Sequence, residues 1–171
     1  MAIQDEQAPA APDLHDYLDE NRIIIRNTAR KEDVLNDLVE SMRDANTVMD
    51  IDALRAGIFE REKLMSTGIG LGIAIPHVRL DSVSDLTMSV MVVRNGIPDY
   101  LSLDDIPVRL VFLLAAHSDQ HAEYLRVLSR LSIILKDADF REHLISIPDA
   151  RIFFETLENS VIDRGPEKQD A

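Results

Sequence analysis

Two apolar runs, LTMSVMVV at residues 86–93 and VRLVFLLAA at residues 108–116, constrain the fold of this chain more than any other feature. Both read as buried strands, with Asn95-Gly96 marking a turn between them. RIII at residues 22–25 reads as a first strand, and residues 29–43 as a helix with Val34, Leu35, Leu38, Val39 and Met42 on one face. Asp50 or Asp52 can cap a second helix that runs to about Glu62. Three more helices are expected at residues 119–136, 138–145 and 149–157. Helices on both sides of a mixed sheet fit this order, so the chain reads as α/β.

With 171 residues and 46% hydrophobic content, the chain can bury one core but hardly two. No run reaches the roughly 18 apolar residues of a membrane span. The N-terminus MAIQDEQAPAAPD lacks the basic and apolar regions of a signal peptide, so a cytoplasmic protein without membrane insertion is expected. A net charge of −13 with no Lys/Arg cluster disfavours nucleic acid as a partner. The absence of cysteine excludes disulfides, thiolate metal sites and a cysteine nucleophile.

Chemistry is concentrated in REKLMSTGIGLGIAIPH, residues 61–77. Gly68, Gly70 and Gly72 loosen the backbone and allow close approach. Ile73, Ala74 and Ile75 then read as a short buried strand stopped by Pro76, which puts His77 at a strand end. Such ends are where α/β proteins gather reactive groups. Taken alone, a histidine there is more often a polar residue at an edge.

The full string resembles the active-site signature of the EIIA domains of the bacterial phosphotransferase system, in the fructose, mannitol and nitrogen-regulatory class. That signature has an acidic or amide residue, six free positions, an aliphatic, a small residue, two free positions, and then aliphatic, Ala, aliphatic, Pro and His. Glu62, Ile69, Gly70, Ile73, Ala74, Ile75, Pro76 and His77 fill it in register. Val78 departs from it, standing where the family has a small residue, which implies reduced access to the ring or reduced backbone freedom. The likeness extends from about Leu14 to Leu157, including a buried strand leading into a helix whose first turn carries His121.

The resemblance implies an α/β/α sandwich, expected over residues 13–160, while composition reads the Ala/Pro-rich residues 1–12 as a disordered tail and residues 161–171, with Gly165 and Pro166, as a polar tail. The resemblance also implies a phosphoryl carrier: His77 accepts phosphate from the histidine carrier protein HPr, with His121 auxiliary and Arg61 and Thr67 stabilising the phosphoryl group. The acceptor is then an EIIB domain in sugar uptake, or none where the domain serves nitrogen-type regulation. The alternative is a regulatory protein-binding module without onward transfer. Imidazole chemistry agrees, since near neutral pH a fair fraction of a group with a pKa of about 6.5 has a free nitrogen to attack phosphorus.

Other roles remain open for several of these residues. Arg61 can equally pair with Glu60 or a nearby Asp on a helix surface. Ser118 reads as the N-cap of the long helix, with Asp119 at its positive end and His121 in its first turn, where backbone N–H groups favour a phosphoryl group. His117 and His121 make an H-x3-H pair that with His77 would offer three zinc ligands, but a Ser118 cap leaves His117 outside the helix. No metal or cofactor is expected. His15 and His143 read as surface or helix-face residues.

Overall fold

The computed structural model describes residues 12–160, so the tails expected at 1–12 and 161–171 lie, apart from Pro12, outside the described residues. The two apolar runs form the centre of a six-stranded sheet, β5 (Thr87–Ile97) and β6 (Val108–Ala116), paired antiparallel with Val90 opposite Phe112. β1 (Ile23–Arg26) lies parallel to β5. On the other side of β6, β3 (Ile73–Ala74) and β4 (His77–Arg79) follow one another, both parallel to it, and β2 (Gly68–Gly70) pairs antiparallel with β3.

Successive side chains of a strand face opposite ways, and here both faces are covered. Met88, Val90 and Val92 of β5 join Leu110, Phe112 and Leu114 of β6 beneath α3 (His121–Ile134), α4 (Ala138–Ser146) and α5 (Ala150–Asn159). Met91 and Val93 join Val111, Leu113 and Ala115 beneath α1 (Lys31–Glu40) and α2 (Ile51–Leu64). The result is the expected sandwich, with a mixed sheet between two helical layers. No helix among the described residues is long and apolar enough to cross a membrane.

Helix starts follow side-chain chemistry where an aspartate is available. Asp50, Asp137 and Asp149 accept from the backbone N–H groups of Ala53, Phe140 and Ile152 at 3.0, 3.1 and 2.9 Å. Such caps each contribute about 1 kcal/mol. The Lys31 N–H at the start of α1 is taken by Asp99, which reaches in from a distant loop at 2.8 Å.

Two expectations are corrected. Asn95-Gly96 is no turn: it lies within β5, where the register to β6 shifts between Val92 and Ile97 and Gly96 takes φ 84°. A Cβ at Gly96 would lie 2.9 Å from Pro107 Cβ, so glycine lets the irregular strand pass close to the returning chain. Ser118 does not cap α3. Its hydroxyl bonds to Asp81, Gln120 takes the cap position without a side-chain bond to the helix's backbone N–H groups, and the helix begins at His121. The Gln120 amide is committed elsewhere, accepting from His117 N–H and donating to Asp85 and Glu123.

Candidate functional site

The sheet is broken where the chemistry sits. Pro76 has no N–H to give, yet its carbonyl still accepts from Leu114 N–H at 2.9 Å, so the chain stays beside β6 and resumes as β4 with His77 as its first residue. His77 is therefore the start of a continued strand rather than the end of a finished one. The Ile75 carbonyl at the break accepts a hydrogen bond from His77 Nδ1 at 2.9 Å. A carbonyl can only accept, so Nδ1 carries the proton and Nε2 keeps its lone pair.

His77 is half-buried in a pocket of about 340 Å³, whose walls include Arg61, Thr67, Ile69, Leu103 and Tyr124. Burial pushes the imidazole pKa below its ordinary value of 6.5. The Ile75 carbonyl and Glu62 oppose that shift, and the positive charges of Arg61 and Arg79 add to it. Both guanidinium groups are held by carbonyls rather than carboxylates: Arg61 donates to Met65 O at 3.0 Å and Arg79 to Ser118 O at 3.2 Å. Glu60 pairs instead with Lys63. Two cations without ion-pair partners among the described residues thus flank a neutral imidazole in a strongly acidic protein.

Glu62, the next residue on α2, faces a different environment. It is 7% exposed and accepts from Thr67 N–H at 3.0 Å, from Thr67 Oγ1 at 2.7 Å and from Lys31 Nζ at 2.9 Å. Burial alone would raise its pKa, but the Thr67 hydroxyl and Lys31 ammonium outweigh it and hold the carboxyl below its ordinary value. Thr67 Oγ1 lies 2.7 Å from the Tyr100 hydroxyl, which donates to it because the Thr67 proton is already given to Glu62. Thr67 therefore lines the pocket with its O–H directed into this network. Glu62 pins the turn that leads into Gly68, where a Cβ would stand 2.1 Å from Leu101 O.

Of the residues singled out from the sequence, the pocket brings together His77, Arg61 and Thr67. His121 is exposed at the first position of α3 and does not line it; Tyr124, one turn later, does. Val78 points to the other face of the sheet, where a Cβ on Gly57 of α2 would meet it at 3.0 Å. It packs against α2 and leaves the imidazole open. His117 sits near Asp81 and Asp119, and among the described residues no group of three His, Cys, Asp or Glu side chains could hold a metal ion. His143 is exposed on α4, whereas His15 is half-buried, its ring 4.2 Å from that of Phe154 and its Nε2 3.2 Å from Glu158.

Sequence reasoning missed Arg79 and Tyr124. The signals were there: Arg79 is two residues after His77, hence on the same face of a strand, and Tyr124 is three after His121, hence on the same face of a helix.

Comparison with known proteins identifies the family and the fold. The family described as "Phosphoenolpyruvate-dependent sugar phosphotransferase system, EIIA 2" matches residues 16–160. The fructose-specific EIIA component of Haloferax volcanii is 37% identical over 117 residues, 68% of this chain and 75% of that protein. The fructose-specific EIIABC component of Bacillus subtilis is 38% identical over 115 residues, 67% of this chain but 18% of that much longer protein. The solved structure of nitrogen regulatory protein IIA-Ntr from Neisseria meningitidis superposes with a TM-score of 0.76 at 26% identity, covering 84% of this chain and 98% of that one. On the match across nearly all of the described residues, the chain belongs to the EIIA type 2 family of the phosphoenolpyruvate-dependent sugar phosphotransferase system.

Proposed function

We propose that this chain is a cytoplasmic phosphoryl carrier that takes phosphate from phosphorylated HPr onto Nε2 of His77 and hands it to an EIIB domain. The observation that carries the proposal is the pairing of a neutral imidazole, its Nδ1 proton held by Ile75 O, with two guanidinium groups that have no carboxylate partner among the described residues. The Nε2 lone pair attacks phosphorus, the P–N bond to the donor imidazole breaks, and the donor nitrogen keeps that electron pair. The Nδ1 proton stays in place, and the Ile75 carbonyl faces the positive charge that grows on the ring.

Phosphoryl transfer needs mainly alignment and charge stabilisation at the equatorial oxygens. Arg61 and Arg79 supply positive charge, and Thr67, tied to Glu62, holds the pocket wall in register. His121 is exposed at the N-terminus of α3, outside the pocket lining, and its auxiliary role rests on the resemblance alone; on that reading His121→Ala is expected to slow transfer without abolishing labelling.

Incubation with enzyme I, HPr and phosphoenolpyruvate followed by intact-mass measurement tests the assignment. The wild type should gain one phosphoryl group and His77→Ala none. Labelling of that variant at the normal rate would overturn the role of His77.

The likeness to IIA-Ntr favours a second reading, in which the phosphorylated and plain forms hold different protein partners and no EIIB follows. A phosphoryl group adds about −1.5 to −2 charge. Calorimetric titration of candidate partners against both forms distinguishes the two, since equal affinities would remove the regulatory reading.

A further inference from the structure

α3 reaches the His77 pocket through a tyrosine. Tyr124 is 7% exposed, lines the same pocket as His77, and sets its ring centroid 5.3 Å from the imidazole centroid at an interplanar angle of 38°. The chain has three tyrosines, and the other two are hydrogen-bonded: Tyr17 donates to Glu123 at 2.7 Å and Tyr100 lies 2.7 Å from Thr67 Oγ1. The Tyr124 hydroxyl has no hydrogen-bond partner among the described residues. The hydroxyl oxygen is not among the fully shielded polar atoms that lack a partner, so it opens into the pocket, where a group bound beside His77 can accept from it.

Charge at the site indicates what that partner would be. Arg61 and Arg79 both act on Tyr124 as well as on His77, so the phenol and the imidazole share one positive field. Burial pushes the Tyr124 pKa up to about 12 against that field, which keeps the hydroxyl protonated and a donor at neutral pH. A protonated donor beside two cations suits an anion with several acceptor oxygens.

We propose that the Tyr124 hydroxyl donates a hydrogen bond to the phosphoryl group carried on His77, so that α3 contacts the transferred group through this phenol. The proposal rests on His77 being the carrier. It explains why α3 places a polar aromatic at a position where an aliphatic residue would fill the same space.

Tyr124→Phe keeps the ring and removes only the hydroxyl. Transfer from phosphorylated HPr, followed by rapid quench, should slow roughly 10- to 100-fold, as expected for a hydrogen bond to a charged group. The phosphorus NMR resonance of the phosphohistidine should shift, with thermal unfolding unchanged. Unchanged rate and resonance would make Tyr124 a packing residue and overturn the proposal. A wild type that never gains phosphate would instead refute the carrier role and take this proposal with it. A measurement free of any variant uses wild-type protein labelled at the tyrosine ring carbon bearing oxygen. On phosphorylation the Tyr124 signal should move and the Tyr17 signal stay, and an unmoved Tyr124 signal counts against the contact.

Discussion

The two sides of β6 are built differently. Toward β5 the ladder runs along most of the strand, and Phe112 and Leu113 of β6 are wholly shielded from solvent. Toward the other edge, β6 meets a two-residue strand and a three-residue strand separated by Ile75-Pro76, with a glycine-rich hairpin beyond. Where that ladder is continuous, backbone groups pair with one another and leave none for chemistry. The break releases one carbonyl, Ile75 O, from the ladder, and that carbonyl orients the imidazole. Rigidity on one side and a defined gap on the other together produce a site that is both held and open.

The largest expected effect belongs to the continuous side. Phe112→Ala should cost about 3–5 kcal/mol, read from denaturant unfolding, and a loss under 1 kcal/mol would show that β5 and β6 are less tightly packed than they look. Gly68→Ala on the broken side forces its Cβ against Leu101 O. Relieving such a clash typically costs about 1–3 kcal/mol, and because the moved segment walls the pocket, phosphoryl acceptance should fall along with stability. Stability lost with the acceptance rate intact would separate that wall from the chemistry.

Smaller effects sharpen the comparison. Leu71, in the two-residue loop between β2 and β3, has φ 59°, and its N–H is held by Asp104 at 2.8 Å. The left-handed region costs a residue with a Cβ about 1–2 kcal/mol, and glycine returns about 0.5–1 kcal/mol of that as unfolded-chain freedom. Leu71→Gly should therefore raise the unfolding temperature slightly, and a clear drop would show that the loop is unstrained. Arg61→Gln should move the His77 pKa back up toward 6.5 but not to it, because burial is the larger cause; proton NMR titration of the imidazole reads this directly.

The same depression sets a pH dependence. An unfolded chain takes up a proton at His77 near 6.5, before the folded chain does, so stability is full above that value and is lost as pH falls to the folded pKa. Below the folded value this contribution levels off. His77→Ala should flatten the slope in that window, measured by unfolding at a series of pH values, and an unchanged slope would locate the acid sensitivity elsewhere. Phosphoryl acceptance should likewise persist below pH 6.5 until pH falls to the lowered folded pKa, where Nε2 takes up a proton.

Much of this was legible in the chain. Apolar runs located β5 and β6, helical periodicity located the buried face of α1, and the string from Glu62 to His77 pointed to the family and the imidazole. Errors came where a tertiary contact overrode a local signal. Asn95-Gly96 has turn chemistry, yet β5 runs through it because the packed strand beside β6 holds the backbone and the glycine absorbs the irregularity. Ser118 has capping chemistry, yet Asp81 claims its hydroxyl.

What the sequence determined by itself is periodicity and chemistry: which residues face a core, where the backbone must bend, and which side chains carry a titratable ring nitrogen. These depend on neighbours a few residues away. Only the tertiary structure decided that Val78 turns from the ring toward α2, that Thr67 gives its proton to Glu62, and that Arg61, Arg79 and Tyr124 converge on one imidazole. Those groups come from α2, β4 and α3, and their meeting depends on how helices pack across a twisted sheet. Distance between segments remote in sequence is set by packing, and no local pattern encodes it.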